Sequence, residues 1–149
     1  MLLSRRCEYA LRTVLYLATR VADAPIPVRE VSSTLGVPHA FLAKTVRDLV
    51  RAHIIRTQPG TGGGLSLARA ATDITLKEVV VAIDGAEIFH TCVLRLPGCG
   101  VKQACPLHEA WVPARNRIER MLGTSTLAAV AESMREKNLR LADFDAEWG

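Results

Sequence analysis

The chain has 149 residues and a mass of 16.2 kDa, room for one compact unit or a small domain with an appendage. Apolar residues make up 49% and charged residues 23%, which excludes general disorder, and no apolar run approaches the ~20 residues of a membrane span. The net charge of +4 is unevenly placed: residues 1–69 hold ten Lys/Arg against four Asp/Glu, residues 70–149 nine against eleven, so the first part suits a polyanionic partner.

The opening MLLSRRCEYALR sets Arg5, Arg6, Glu8 and Arg12 among its apolar residues. It has neither the apolar stretch nor the cleavage site of a secretory signal, and a cytoplasmic protein is expected. A first helix is predicted from about Arg5 to Ala22, with Ala10, Val14, Leu17, Ala18 and Val21 at helical spacing and Asp23-Ala-Pro25 as its stop. A second spans about Val28 to Leu35, carries Val31 and Leu35 inward and ends at Gly36. Pro38 opens a third, with Leu42, Val46, Leu49 and Val50 on one face and Lys44, Arg47 and Arg51 on the other. A short helix, a tight glycine turn and a basic amphipathic helix make a helix-turn-helix candidate, although helical hairpins that never touch DNA share this local signature.

The next stretch narrows the choice. Ile54–Thr57 and Leu65–Leu67 read as two short strands joined by Gln58-Pro-Gly-Thr-Gly-Gly-Gly64, a β-hairpin with a glycine-rich tip. Helix-turn-helix followed by hairpin is the order of a winged helix. A phosphate-cradling loop would need a Gly-Lys-Ser/Thr ending that is absent here. The expected fold is therefore mainly α with a small β-hairpin wing: a DNA-binding part over residues 1–70, then a loop and a long helix within 71–149.

Thr75-Leu-Lys-Glu78 has capping-box spacing and predicts a helix through Ile83, closed by Asp84-Gly85. The segment from Phe89 to Leu107 is rich in Gly and Pro and has no period. Beyond it Leu107, Trp111, Ala114, Ile118 and Met121 recur at alternating steps of four and three, a heptad-like seam that suits either a second copy or this chain's own core. Pro113 interrupts the seam and predicts a kink or a later helix start. A last short helix is expected from Leu127 to Met134.

Cys7 stands alone and reads as a small packed residue. Cys92, Cys99, Cys105 and His108 have the spacing C-x6-C-x5-C-x2-H. Thiolates are soft ligands suited to iron–sulfur clusters and to zinc, and the spacing alone leaves both open. Three cysteines leave one coordination position, for which His108 is a candidate because it follows Cys105 by three residues.

Four segments together, MLLSRRCEYALR, VREVSSTLGVPHAFLAKTVRDL, PGTGGGLSLAR and CPLHEAW, resemble the Rrf-type winged-helix regulators, the group of IscR- and NsrR-like iron–sulfur repressors. The likeness covers roughly residues 1–135. It implies a homodimer on a palindromic operator in double-stranded DNA, with one recognition helix per copy in the major groove about 34 Å apart. On that reading His39, Ala40, Ala43, Lys44 and Arg47 face the groove. Lys44, Arg47, Arg51 and Arg56 contact phosphates, and the wing with Gly60, Gly62 and Gly63 approaches the minor groove. The chain departs from its relatives in two places: Pro59 stands where an arginine often precedes the first wing glycine, and Ala43 where some carry an acid. The resemblance also favours an iron–sulfur cluster, [2Fe–2S] or [4Fe–4S], over zinc, and adds Glu8 as a rival fourth ligand, reaching across from the other copy. Under this reading the chain is a cluster-controlled regulator, probed by redox state, nitric oxide or iron, and not an enzyme. Its rivals are a winged-helix regulator with structural zinc or a thiol switch, and a small iron–sulfur electron carrier, which the lack of any catalytic pair or nucleotide motif disfavours.

Overall fold

Ser4 opens the first helix: its hydroxyl accepts the backbone N–H of Cys7 at 3.1 Å, satisfying one of the amides that a helix start leaves without a partner. Helix α1 (Arg5–Thr19) turns Cys7, Ala10, Val14 and Leu17 inward at steps of three and four, and all four are buried. The computed structural model describes residues 2–20 and 24–142. The helix end expected at Ala22 lies outside the described residues; helical geometry stops at Thr19, and Arg20 is already extended.

Helices α2 (Val28–Leu35) and α3 (His39–Arg51) form the predicted pair. Gly36 takes the left-handed conformation that ends α2, and the Ser32 hydroxyl donates to the Val37 carbonyl at 2.7 Å across the turn. Val31, Leu35, Val37, Leu42 and Leu49 interlock beneath it. Burying each such side chain contributes roughly 1.5–3 kcal/mol. Val50, expected on the apolar face of α3, is instead exposed, and Thr45 is buried in its place with its hydroxyl returned to the Phe41 carbonyl at 2.8 Å. The cause is the helical period: Leu42, Thr45, Val46 and Leu49 trace one stripe, and Val50 lies beyond its edge.

Strands β1 (Ile55–Gln58) and β2 (Gly64–Leu67) pair antiparallel, with Ile55 opposite Leu67 and Gln58 opposite Gly64. Each strand sits within one residue of its predicted span. A third segment joins them: Ile26 exchanges both backbone hydrogen bonds with Leu65, each 2.8 Å long. Gly64 makes this approach possible, because a Cβ there would lie 2.1 Å from the Ile26 carbonyl oxygen.

The second part folds back on the first. After a 3-10 turn (Ala71–Asp73), helix α4 (Leu76–Asp84) starts with the predicted capping box: the Thr75 N–H donates to Glu78 at 2.8 Å and the Glu78 N–H to the Thr75 hydroxyl at 3.3 Å. A second 3-10 turn (Ala86–Phe89) buries Phe89 and releases the cysteine loop. Helices α5 (His108–Thr124) and α6 (Leu127–Lys137) follow. Backbone bonds from Leu76 to Ser125 (2.9 Å) and from Leu127 to Ile74 (2.8 Å) tie the starts of α4 and α6 together, and α3, α4 and α6 all pack on α1.

Pro113 does not delay α5, which begins at His108 and continues past it. The amide hydrogen that proline lacks would have bonded Glu109, a single bond in a 17-residue helix. The seam on α5 divides. Ile118 packs on this chain's own core and Trp111 is half-buried, while Leu107, Ala114 and Met121 stay exposed, Met121 at 56%. No helix among the described residues is long and apolar enough to cross a membrane.

Candidate nucleic-acid interface and cysteine centre

The buried stripe of α3 fixes what its other side can present. His39, Ala40, Ala43, Lys44, Arg47 and Arg51 are all exposed along that outer face. Their shared surface is a consequence of the inward Leu42, Thr45, Val46 and Leu49. Arg51 reaches Asp48 at 3.5 Å but is 80% exposed, a pair of little energetic weight. The helix therefore offers three cations and two small side chains to anything that approaches it, with no bulky group at Ala40 or Ala43 to hold a backbone away.

The wing follows directly from α3. Arg56 is exposed on β1 with its Nε donating to the Ser66 hydroxyl at 3.0 Å, which sets the guanidinium across the hairpin. Pro59, Gly60, Thr61 and Gly62 form the exposed tip, and half-buried Gly63 donates its N–H to the Gly60 carbonyl at 3.0 Å. The tip is thus a closed turn on a paired hairpin.

The cysteine loop gathers its thiols at the foot of α5. The Sγ atoms of Cys92, Cys99 and Cys105 all lie within 4.8 Å of one another. Cys92 and Cys105 are 3.3 Å apart, and the Cys105 N–H points at the Cys99 sulfur, also at 3.3 Å. His108, the first residue of α5, meets this group at its Cys99 edge, with Nδ1 3.5 Å from the sulfur. Gly100 leaves room for the ring: a Cβ there would sit 2.4 Å from the imidazole Cε1. Glu8 is half-buried in the first turn of α1 and is not among the described groups that this chain brings together there.

Burial acts to raise the Cys92 thiol, but hydrogen bonds with Cys105, with the Leu94 and Leu96 backbone and with Cys99 outweigh it and bring Cys92 down to about 7. Burial and the neighbouring Cys92 thiol push Cys105 up. Cys7 behaves differently: it is fully buried, and burial followed by the nearby Asp84 charge takes it up to about 12. It is the packed residue that its isolation in the sequence suggests. Three soft sulfur donors with an imidazole at their margin suit a thiophilic metal or an iron–sulfur group.

Two residues of α5 hold this arrangement. Trp111 Nε1 donates to the Thr91 carbonyl at 3.0 Å, and Arg115 Nη1 donates to the carbonyls of His90 (3.0 Å) and Thr91 (3.4 Å). These bonds pin the strand of chain entering Cys92 to the side of α5. Arg6 of α1 ties other elements, donating from Nη2 to the Ile83 carbonyl at the end of α4 at 2.8 Å and pairing through Nη1 with Asp48 of α3 at 3.1 Å. No local sequence signal marks these bonds, because the partners are distant in the chain or are backbone carbonyls.

A family model described as Rrf2, iron-dependent transcriptional regulators, matches residues 3–133. The chain belongs to the Rrf2 family. It is a winged-helix transcriptional regulator of that family, and Rrf2 regulators bind DNA. Protein rrf2 of Nitratidesulfovibrio vulgaris is 30% identical over 139 residues, 93% of this chain and 91% of that one. The regulator IscR of Photobacterium profundum is 28% identical over 140 residues, 94% of this chain and 79% of that one. Among solved structures, CymR, the global cysteine regulator of B. subtilis, superposes with a TM-score of 0.75 at 21% identity, over 88% of this chain and 96% of that one. IscR of T. potens does so with a TM-score of 0.72 at 19% identity, over 93% and 91%. The two structures establish the fold, and the cysteine group is compatible with a bound metal or iron–sulfur cofactor.

Proposed function

We propose that this Rrf2 regulator is a homodimeric repressor whose grip on a palindromic operator is governed by an iron–sulfur cluster on Cys92, Cys99 and Cys105. The observation that carries the reading is one chain presenting an exposed cationic helix face at one end and three converged thiols at another. His39, Ala40, Ala43, Lys44 and Arg47 meet the major groove; Lys44, Arg47, Arg51 and Arg56 neutralise phosphates; Gly60, Gly62 and Gly63 bring the wing backbone to the minor groove. Exposed Leu107 at the N-cap of α5, with Ala114 and Met121 along it, supplies the apolar strip for a second copy, which sets the two recognition helices at a fixed spacing.

The three cysteines hold the cluster, and His108 is the fourth ligand in this reading, because its ring already stands against Cys99. Glu8 serves that role only if a second copy delivers it. A non-cysteine ligand leaves one corner of the cluster open to nitric oxide, to oxidants or to iron loss, which is the chemistry the group supplies. The protein's part is to hold the loop: Trp111 and Arg115 fasten its entry, and Gly100 makes space for His108.

Zinc is the second reading, favoured by how close the thiols lie. A single tetrahedral metal with bonds of about 2.3 Å spaces its thiolates roughly 3.8 Å apart, on the scale of the separations seen here. Anaerobic purification followed by absorption, iron, sulfide and zinc analysis separates the two. Operator selection with loaded and stripped protein then tests control. Coloured, iron- and sulfide-bearing dimers whose operator affinity changes on stripping support the proposal. Colourless zinc protein, or affinity indifferent to stripping, refutes it.

A further inference from the structure

Between the cysteine loop and the DNA-reading helix lies a short path of polar contacts. Helix α4 ends at Ile83 and Asp84, and Gly85, the second 3-10 turn, His90 and Thr91 lead from that end to Cys92. Both residues are held by the start of α1. The Ser4 N–H donates to Asp84 at 2.8 Å, with the Ser4 hydroxyl bonded to the same carboxylate, and Arg6 donates to the Ile83 carbonyl at 2.8 Å. The same Arg6 guanidinium pairs with Asp48 of α3 at 3.1 Å. Asp48 lies one residue after Arg47, on the helix proposed to read DNA.

We infer that Arg6 is a positioning residue that joins the state of the cysteine loop to the placement of α3. This rests on the proposed cofactor-controlled reading and supplies its route. A guanidinium is planar, so the nitrogens facing Ile83 and Asp48 keep a fixed relation, and a shift at one partner is felt at the other. The pair is partly shielded, at 28% and 21% side-chain exposure, so salt screens it less than the outer charges of α3. The remaining links are the hydrogen bonds of Ser4 and Arg6, the helices α1 and α4, and the seven residues of chain from Gly85 to Thr91 that lead to Cys92. Loss of the loop's contents moves the chain after α4, the Ile83 carbonyl moves with it, and Arg6 carries the displacement to Asp48.

The test uses the full-length protein, anaerobically reconstituted or stripped with a chelator. Its probe is a labelled duplex selected by the wild-type protein from a random-sequence pool. Wild type is expected to bind the duplex with affinities differing about 5-fold or more between the two states. In Arg6→Ala, and in the isosteric Asp48→Asn that cuts the α3 arm together with the exposed Arg51 pair, the ratio is expected to fall below about 2-fold while the centre loads with wild-type absorbance. A second readout does not involve DNA: amide exchange across residues 42–49 differs between loaded and stripped wild type and becomes alike in Asp48→Asn. If both variants keep the wild-type ratio and exchange difference, the joint is overturned and the parent reading survives. If wild type itself shows equal affinity in both states, the parent reading falls and the joint with it.

Discussion

Cys99 Sγ stands 3.5 Å from His108 Nδ1, and the imidazole occupies the space that a side chain at Gly100 would need. The place of the His108 ring thus depends on the missing side chain of Gly100. Gly100→Ala, with its Cβ 2.4 Å from the ring and its backbone at φ +85°, must displace His108. The expected outcome is cofactor retention reduced about 10-fold or more, matching His108→Ala, because ligand orientation is worth that much in metal sites. Iron or zinc content against chelator concentration measures it; wild-type retention in Gly100→Ala removes His108 from the ligand set.

The outer face of α3 predicts a specific salt signature. Lys44→Ala and Arg47→Ala are each expected to reduce the slope of log affinity against log salt by about 1. Both effects concern phosphate neutralisation, so they should weaken binding to many sequences alike. Titrations at several salt concentrations with operator and random duplex decide it, and an unchanged slope places the residue away from the backbone.

His53 occupies the turn between α3 and β1 with φ +55°, a left-handed conformation that a β-carbon disfavours. Its carbonyl accepts Arg69 Nε at 3.1 Å, a bond that any residue at 53 can keep. His53→Gly is therefore expected to stabilise the fold by roughly 0.5–1 kcal/mol, the relief at the turn outweighing the added freedom of the unfolded chain. Denaturant titration reads this as a raised midpoint at constant slope.

Glu78 predicts an acid dependence. Its burial acts to raise the carboxyl, but the Thr75 backbone N–H, then Arg69, bring it below its ordinary 4.5. A depressed folded value contributes stability above 4.5 that disappears as pH falls through the folded value. Wild type is expected to lose more stability than Glu78→Gln on descending from pH 5 into that range. Because the side chain is 41% exposed, solvent screening keeps the difference small. Parallel melting curves in the two proteins test the sign.

Much of this architecture is legible in the amino-acid sequence. Gly36 and Pro38 bracket the turn between α2 and α3, and the Thr75/Glu78 pair marks α4, because each acts through its own immediate backbone. The three cysteines and His108 were legible through ligand chemistry and spacing. Val50 reads as buried because a hydrophobic side chain at the stripe's edge looks like part of it, and the burial of Thr45 has no sequence signal because its hydroxyl bonds locally to Phe41. Arg6 with Asp48, and Trp111 with Thr91, could not be read at all. Such pairs form only after helices distant in sequence have packed, and neither leaves a local pattern.

The double backbone bond between Ile26 and Leu65 has a mechanical consequence. The link entering α2 is stitched into the hairpin, so the wing cannot pivot on its own β1 connection without dragging the helix-turn-helix along. Hairpin and helices are joined as one plate, and the tip residues from Pro59 to Gly63 are the part of the hairpin left outside that stitching.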